Sequence, residues 1–279
     1  MIVLIRTELT KIFRKWRTYI GFIAVGLLTV IVQLALYFTG QKIIDSQMQN
    51  FEQSFIMVGN LFNGYFIAHL ILGALIIHVP FLIVLVGGDL LAGEATAGTY
   101  RMILTRPVSR FQVVTSKFIA GIIYVVSLLA CLAFLSLGVS LLLFGSGPLL
   151  SMGGGGIAII AENDILWRFL GAFSFAVLSM TTVFCLAILF SSLVQNAIGP
   201  IVSTMAVIFI LLILSALPVE FLKNLSPYFF TSHMLQWNQF FNDPVDYSEV
   251  LNSSGILLIY IAVFYSITTY IFIKKDVLS

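Results

Sequence analysis

Six long runs of apolar residues divide this chain of 279 residues, and each run is long enough to cross a bilayer as a helix. The runs occupy residues 19–39, 66–86, 118–144, 167–190, 197–219 and 255–273. Continuous apolar stretches of this length are typical of spanning helices, whereas barrel strands alternate apolar and polar positions over about ten residues. The pattern therefore predicts an all-α integral membrane protein with six transmembrane helices.

Residues 1–18 show a different pattern, in which apolar side chains recur at helical spacing. Ile5, Leu9 and Ile12 share one face, and we expect Glu8 to point the other way with the basic residues. Such a helix lies in the headgroup layer of a membrane, so we predict an amphipathic elbow helix over 1–18 and a transmembrane domain over 19–279. The residues expected at the membrane surface are Lys11, Arg14, Lys15, Trp16 and Arg17. The alternative is a basic flank that only orients the first span.

Composition and charge placement agree with a membrane protein of defined orientation. The chain is 60% hydrophobic and 9% charged, whereas a soluble domain is about 25% charged. Eleven of the 14 Lys and Arg residues lie at the chain ends or between spans two and three, and three lie in the odd-numbered loops. Because basic residues mark the cytoplasmic side, we expect both termini in the cytoplasm and the chain in the inner membrane. The basic first helix enters span one without a small-residue cleavage site, so we predict no cleavable signal.

Three outer loops follow from this topology, at 40–65, 145–166 and 220–254. The first mixes polar and large apolar residues, which predicts a short amphipathic helix at the outer surface. The second contains four consecutive glycines, Gly153 to Gly156, which predict a flexible connector. The third is rich in Tyr, Trp and Phe, which favour the membrane interface. It is interpreted as an interfacial belt of short helices, with an outer gate or a docking site as the alternative.

Few polar groups occur within the predicted spans. Cys131 and Cys185 are interpreted as packing residues. His69 and His78 are nine residues apart, on nearly opposite helix faces, so they cannot bind one metal together. We expect them to form hydrogen bonds across helices, with a proton or substrate role for one as the alternative, and we expect Pro80 to kink this span. No acidic pair, nucleophile with a base, or phosphate-binding loop is found, so no catalytic residue, metal site or nucleic-acid partner is predicted.

The loop at 87–117 concentrates charge, turn residues and helix caps. Glycines at 87, 88 and 93 are expected to let the chain break at the membrane exit. Gly98 and Thr99 predict a turn and an N-cap for a short helix over 99–105, which Pro107 ends. Ser109 and Gln112 then form a capping box for span three. A short helix bounded in this way, with an apolar face and rigid spans on both sides, is suited to transmit a displacement.

The same loop carries a family resemblance. The pattern Gly-Glu-x3-Gly-Thr-x6-Arg-Pro-Val-Ser-Arg, read here over 93–110, resembles the cytoplasmic motif of type-2 ABC exporter permeases. The matching residues are Glu94, Gly98, Thr99, Arg106, Pro107, Ser109 and Arg110. The motif match covers about 89–117, while the elbow helix, six spans and inward termini are similar over the whole chain.

The resemblance implies a permease subunit that works as a pair, each copy bound by a separate ABC ATPase. ATP and Mg would be bound by that ATPase, and no cofactor by this chain. The segment 99–105 would be the coupling helix, with its apolar residues in a groove of the ATPase. Its coupling residues would be Tyr100, Arg101, Ile103 and Leu104, together with the motif residues named above. The function implied is ATP-driven export. The alternative is a membrane anchor that converts ATPase cycling into mechanical or assembly work on an extracytoplasmic protein docked at 220–254.

Overall fold

The computed structural model of the chain describes residues 1–52, 62–99, 108–153 and 156–275, and for 41–52, 152–153 and 156–157 it describes the backbone alone. Within these residues the fold is helical apart from one β-hairpin. The helices are α1 Ile2–Arg14, α2 Trp16–Glu52, α3 Gly64–Ile76, α4 Val79–Gly87, α5 Asp89–Thr96, α6 Arg110–Ala133, α7 Ser140–Phe144, α8 Glu162–Leu193, α9 Ile198–Ala216, α10 Glu220–Leu225, α11 Phe230–His233 and α12 Tyr247–Lys274. Short 3-10 helices cover Ser226–Tyr228 and Gln236–Phe241, and the strands are β1 Leu149–Gly153 and β2 Gly156–Ile160.

Six helical stretches among the described residues are long and apolar enough to cross a bilayer, which confirms the predicted fold class. We call them spans one to six: Trp16–Gly40, Val79–Thr96, Arg110–Phe144, Glu162–Leu193, Ile198–Ala216 and Tyr247–Lys274. Spans two and four are the most enclosed, since 67% of their apolar window is buried, against 22% in spans one, five and six. Spans two and four therefore form the centre of the subunit.

The second apolar run differs in its bounds from the prediction, because the helix is interrupted within it. Helix α3 ends at Ile76 and α4 starts at Val79, with Pro80 in its first turn. Pro80 has no N–H to donate, and its ring would meet the carbonyl four residues earlier, so the helical hydrogen bonding is interrupted at Ile77 and His78. The kink predicted at Pro80 is thereby confirmed, and span two continues through α5 to Thr96.

Span three contains a second irregularity that was not predicted. Between α6 and α7 the helix widens into a π-helix over Phe134–Val139. A π-helix displaces carbonyl groups from their usual partners, and here the Gln33 side chain of span one donates to the carbonyl of Leu135 and to Ser140 Oγ, both at 2.9 Å. The intramembrane amide of Gln33 thus joins spans one and three, as expected of interhelical polar contacts.

The outer segment 220–254 packs into the bundle more deeply than an interfacial belt would. Phe230, Trp237 and Phe241 are almost fully buried, and Ser179 in span four donates to the carbonyl of Met234 at 3.1 Å. Arg168 fixes the same segment by donating to the carbonyl of Asn242 at 2.6 Å. The belt interpretation is wrong for residues 230–241, because their aromatic side chains fill space between spans four and six.

Two other outer loops also differ from expectation. On either side of the glycine-rich turn, Leu149 pairs with Ile160 and Gly153 with Gly156 in two antiparallel strands, which the predicted flexible connector did not include; residues 154 and 155 lie outside the described residues. The inward side chains of Leu149 and Ile160 are buried and hold the hairpin on the bundle. Helix α2 extends to Glu52, beyond the predicted end of span one, and residues 53–61 of the predicted surface helix lie outside the described residues.

The two intramembrane histidines behave differently from each other. His78 is exposed, and its Nδ1 lies 2.9 Å from the carbonyl of Ala74 in its own chain segment, so the predicted bond across helices is wrong for this residue. The ring of His69 lies 4.5 Å from the ring of Phe241, between centroids, and its Nδ1 has no hydrogen-bond partner among the described residues. His69 therefore packs against the buried outer segment through its ring.

Candidate functional site

Helix α5 leads into the predicted coupling segment, and Gly98 determines where this helix ends. Gly98 has a φ of 65°, a left-handed conformation that is unfavourable for a residue with a Cβ. Its N–H donates to the carbonyl of Ala95 and the N–H of Thr99 to that of Glu94, both at 3.1 Å. These two bonds form a Schellman motif, which satisfies the last carbonyls of the helix. The turn predicted at Gly98 and Thr99 is confirmed, and it fixes the direction in which the chain leaves α5.

The other three glycines of this region are required by close packing. A Cβ on Gly87 would meet Ala187 Cβ at 3.0 Å, and one on Gly88 would meet Ile201 Cγ1 at 3.0 Å, so spans four and five approach the backbone here. At Gly88 the helix is irregular for one residue, which keeps helical dihedral angles, and span two continues to Thr96, so the chain does not leave the helix here as predicted. The break predicted at Gly93 is wrong, because α5 runs through this position. A Cβ on Gly93 would lie 2.4 Å from Oδ1 of Asp89, so the glycine leaves space for that carboxylate.

Seven charged side chains around one small cavity form two adjacent sets of ion pairs, here called the ion-pair cluster, which join α5 to the elbow helix α1, to the start of span one and to span three. Its members are Glu8, Lys11, Lys15, Arg17, Asp89, Glu94 and Lys117. In its inner half, Lys117 Nζ lies 2.8 Å from Glu8 Oε2 and 2.8 Å from Glu94 Oε2. Lys11 Nζ lies 2.7 Å from Oε1 of both carboxylates. Two lysines and two carboxylates therefore alternate in a closed ring that no single helix could form.

The outer half of the cluster holds the first turn of α5. Asp89 accepts from Lys15 Nζ at 2.6 Å and from Arg17 Nη1 at 3.1 Å, and both cations extend from the junction between α1 and span one. A carboxylate in the first turn of a helix also interacts favourably with the helix dipole. Asp89 and Glu94 thus attach both ends of α5 to the same basic segment, residues 11–17.

Burial makes the inner ring energetically important. The side chain of Lys117 is 1% exposed and those of Glu8 and Glu94 are below 10%. Burial alone would lower the pKa of Lys11, but the hydrogen bonds and negative charges of Glu8 and Glu94 outweigh it and raise that pKa above its usual value. Lys11 is therefore charged at neutral pH, and its contribution is lost only when the pH rises past its raised pKa. Removing one partner of the fully buried pairs, those of Lys117 with Glu8 and Glu94, costs roughly 3–5 kcal/mol.

Ser109 and Arg110 occupy the other side of the loop, at the start of span three. Ser109 Oγ accepts from the N–H of Gln112 at 3.2 Å and Gln112 Oε1 accepts from the N–H of Ser109 at 3.1 Å, which confirms the predicted capping box. Arg110 Nη1 donates to the carbonyls of Ile273 at 2.8 Å and Lys275 at 2.6 Å. A cation at a helix C-terminus is stabilising, so Arg110 joins the start of span three to the end of span six.

The residues assigned to the membrane surface divide into two groups. Trp16 is 73% exposed and Arg14 is also exposed, on the outside of the subunit. Lys11, Lys15 and Arg17 instead contact carboxylates of the ion-pair cluster. Glu8 lies on the same face of α1 as Lys11, as expected, but this face is buried against span three, where Lys117 and Lys11 neutralise the carboxylate.

The remaining predicted coupling residues, Tyr100, Arg101, Ile103, Leu104, Arg106 and Pro107, lie outside the described residues. The two residues that flank them, Thr99 and Val108, line a groove of about 410 Å³ between α1 and the end of α5. Its walls combine apolar side chains of α1 with Glu8, Lys11 and Lys15. The base of the loop is therefore a structured surface with both apolar and charged parts.

Glu8, Asp89 and Lys117 belong to the site but were not predicted as site residues. The available signal was Lys117 itself, a cation seven residues inside the helix that Ser109 starts, where an unpaired charge would be costly. Its ion-pair partners could be sought among the few acidic residues on the predicted cytoplasmic side of the membrane. Nothing in the sequence indicated which of them it would contact.

Comparison with known proteins gives the class of the molecule. Residues 2–277 match the model of a family described as ABC-2 family transporter protein. No curated protein matches the chain. The match covers nearly all of the sequence, including the elbow helix, all six spans and the loop that carries the ion-pair cluster. The chain is a multi-pass membrane protein of the ABC-2 transporter family, the permease component of an ABC transporter, and this membership implies an ABC ATPase as its partner.

Proposed function

We propose that this chain moves a substrate outward across the inner membrane when a separate ATPase binds and hydrolyses ATP beneath it. Residues 99–105 would be the coupling helix that the ATPase displaces. The observation that carries the proposal is the ion-pair cluster: it attaches α5, which leads directly into this segment, to the elbow helix and to span three.

A transmitting structure needs rigid connections that continue into moving elements. The ring of Lys11, Glu8, Lys117 and Glu94 supplies one, because three of its four side chains are buried and separating their charges without solvent is costly. Arg110 supplies another, from the start of span three to the end of span six. A displacement at either end of the coupling segment would thus reach spans two, three and six together.

The proposed assembly contains two permease subunits, identical or related, with one ATPase bound to each. Spans one, five and six expose apolar side chains on most of their length, which suits contact with lipid and with a second subunit. ATP and Mg would be held by the ATPase alone. The end of the bundle that carries Lys11, Lys15, Arg110 and Lys275 would face the cytoplasm, in agreement with the placement of basic residues.

Replacing residues 100–107 by eight Gly and Ser residues should abolish copurification of the ATPase with this permease. The replacement removes the predicted coupling helix and leaves the Schellman motif and the capping box in place. A matched control replaces α10, residues 220–225, which has no buried residue and lies at the opposite end. Both variants should keep the thermal unfolding midpoint of the wild type in detergent. Retention of the ATPase by the 100–107 variant would contradict the coupling assignment.

The alternative is an anchor that does mechanical or assembly work on an extracytoplasmic protein. The outer segment offers a surface for it, because Phe221 and Tyr228 are about 70% exposed beside a folded, buried core. The two functions differ in what stimulates ATP hydrolysis in liposomes. Stimulation by a membrane-soluble or amphipathic compound supports export, whereas stimulation only by an added extracytoplasmic protein supports the anchor.

A further inference from the structure

We infer that Ser191, at the end of span four, is a positioning residue that fixes helix α5 to span four and passes the displacement of α5 into the centre of the bundle. The inference rests on the proposed function for its role in coupling. It concerns a residue outside the loop motif and outside the ion-pair cluster. Its basis is a set of hydrogen bonds between positions about 100 residues apart.

The Ser191 hydroxyl bonds to the backbone where α4 and α5 meet. Ser191 Oγ donates to the carbonyl of Gly88 at 2.6 Å and accepts from the N–H of Ala92 at 2.8 Å and of Leu91 at 3.2 Å. A side chain inserted into the backbone ladder is an established cause of a helix bend. The irregular turn at Gly88 thus contains a hydroxyl group from another span, between the carbonyl of Gly88 and the N–H of Ala92.

The surroundings make this hydroxyl hard to replace. Ser191 is 1% exposed, and Gly87 and Gly88 are packed tightly against Ala187 and Ile201. Water has little access to the polar backbone groups at the irregular turn, so loss of the hydroxyl would leave buried groups unsatisfied. The adjacent residue continues the connection, since Lys275 Nζ donates to the carbonyl of Ser192 at 2.9 Å and so joins the ends of spans four and six.

The hydrogen bonds of Ser191 to α5, here called the Ser191 joint, give α5 a second attachment that is independent of the ion-pair cluster. The cluster holds the side of α5 that faces α1 and span three, through Asp89 and Glu94. Ser191 holds the backbone of its first turn to span four, the long central helix. A displacement of α5 is then shared between span three and span four, and span four carries it toward Ser179 and the buried outer segment.

The test compares Ser191→Ala with Ser192→Ala, a matched control in the same helix. Ser192 is also buried, but within the part of the chain that the structure describes its Oγ donates to the carbonyl of Leu189 in its own helix alone. Hydrogen exchange of the peptide covering 89–96 is measured in detergent by mass spectrometry. We expect exchange of its most protected amides to be at least about tenfold faster in Ser191→Ala, since a buried amide loses its acceptor, and unchanged in Ser192→Ala. Equal protection of these amides in both variants would contradict the role of Ser191 in fixing α5 to span four.

A second measurement addresses coupling in the complex with the copurifying ATPase in liposomes. Ser191→Ala should bind the ATPase and hydrolyse ATP, while the ATP-dependent change in hydrogen exchange of residues 230–241 falls at least about threefold. If the ATP-dependent change in hydrogen exchange is as large in Ser191→Ala as in the wild type, the role of Ser191 in transmission is refuted and the proposed function is left intact. Absence of ATPase binding by the wild type and both variants would instead refute the proposed function, and with it the role assigned to Ser191.

Discussion

Replacing Lys117 by Met should lower the free energy of unfolding by roughly 3–5 kcal/mol, because two buried carboxylates would then share the single cation of Lys11. For a chain of this size the thermal midpoint in detergent would fall by roughly 10 °C. The measurement is thermal unfolding followed by the loss of monodisperse protein. Met preserves most of the apolar volume of the lysine stem, so the effect reports the charge.

Two controls separate this effect from general disturbance of the region. Lys15→Met removes a cation of the same cluster whose side chain is 47% exposed, and exposed pairs contribute about 0–1 kcal/mol. The double variant Lys117→Met with Glu94→Gln leaves Glu8 and Lys11 as a balanced pair. It should recover at least half of the lost stability. A single variant as stable as the wild type, or a double variant less stable than the single one, would contradict the buried ring.

The second large effect is expected from Gly121→Ala, at the contact between spans three and four. A Cβ at Gly121 would lie 1.7 Å from Cζ of Phe184, a ring that is itself fully buried in the core. Overpacking a core in this way costs about 1–3 kcal/mol or more, since neither backbone nor ring has free space. We expect a lower thermal midpoint and poor recovery of folded protein.

The matched control is Gly255→Ala in span six, where a Cβ would meet nothing within 4 Å. This change should be neutral or slightly stabilising, because Ala favours a helix over Gly by about 1 kcal/mol. Combining Gly121→Ala with Phe184→Leu should restore part of the stability by removing the ring. Wild-type stability of Gly121→Ala alone would show that spans three and four are not in close contact at this position.

The sequence predicted the parts of the fold that local chemistry determines. The six apolar runs, the break before Pro80, the capping box of Ser109 and the turn at Gly98 each follow from residues that are neighbours in the chain. The β-hairpin at 149–160 was missed because its glycines were interpreted as flexible. The pairing that defines it is between residues up to eleven positions apart.

The ion-pair cluster and the Ser191 joint depend on tertiary contacts and could not be predicted in the same way. Glu8 and Lys117 are 109 residues apart, and Ser191 and Ala92 are 99 apart. A buried cation in a span is a visible signal, so Lys117 could have been suspected. Ser191 offers no such signal, because an intramembrane serine usually bonds to its own helix, as Ser192 does.

We propose that the ATPase acts on the spans through residues 100–107 and the ion-pair cluster at their base. The most direct test is hydrogen exchange of residues 230–241 in the liposome-bound complex, with and without vanadate trapping of the ATPase. The comparison is between the wild type and Lys117→Met, at a temperature where both are folded and hydrolyse ATP. We expect trapping to change exchange in the wild type, and this change to be at least severalfold smaller in Lys117→Met. An equal change in both proteins would contradict this proposal.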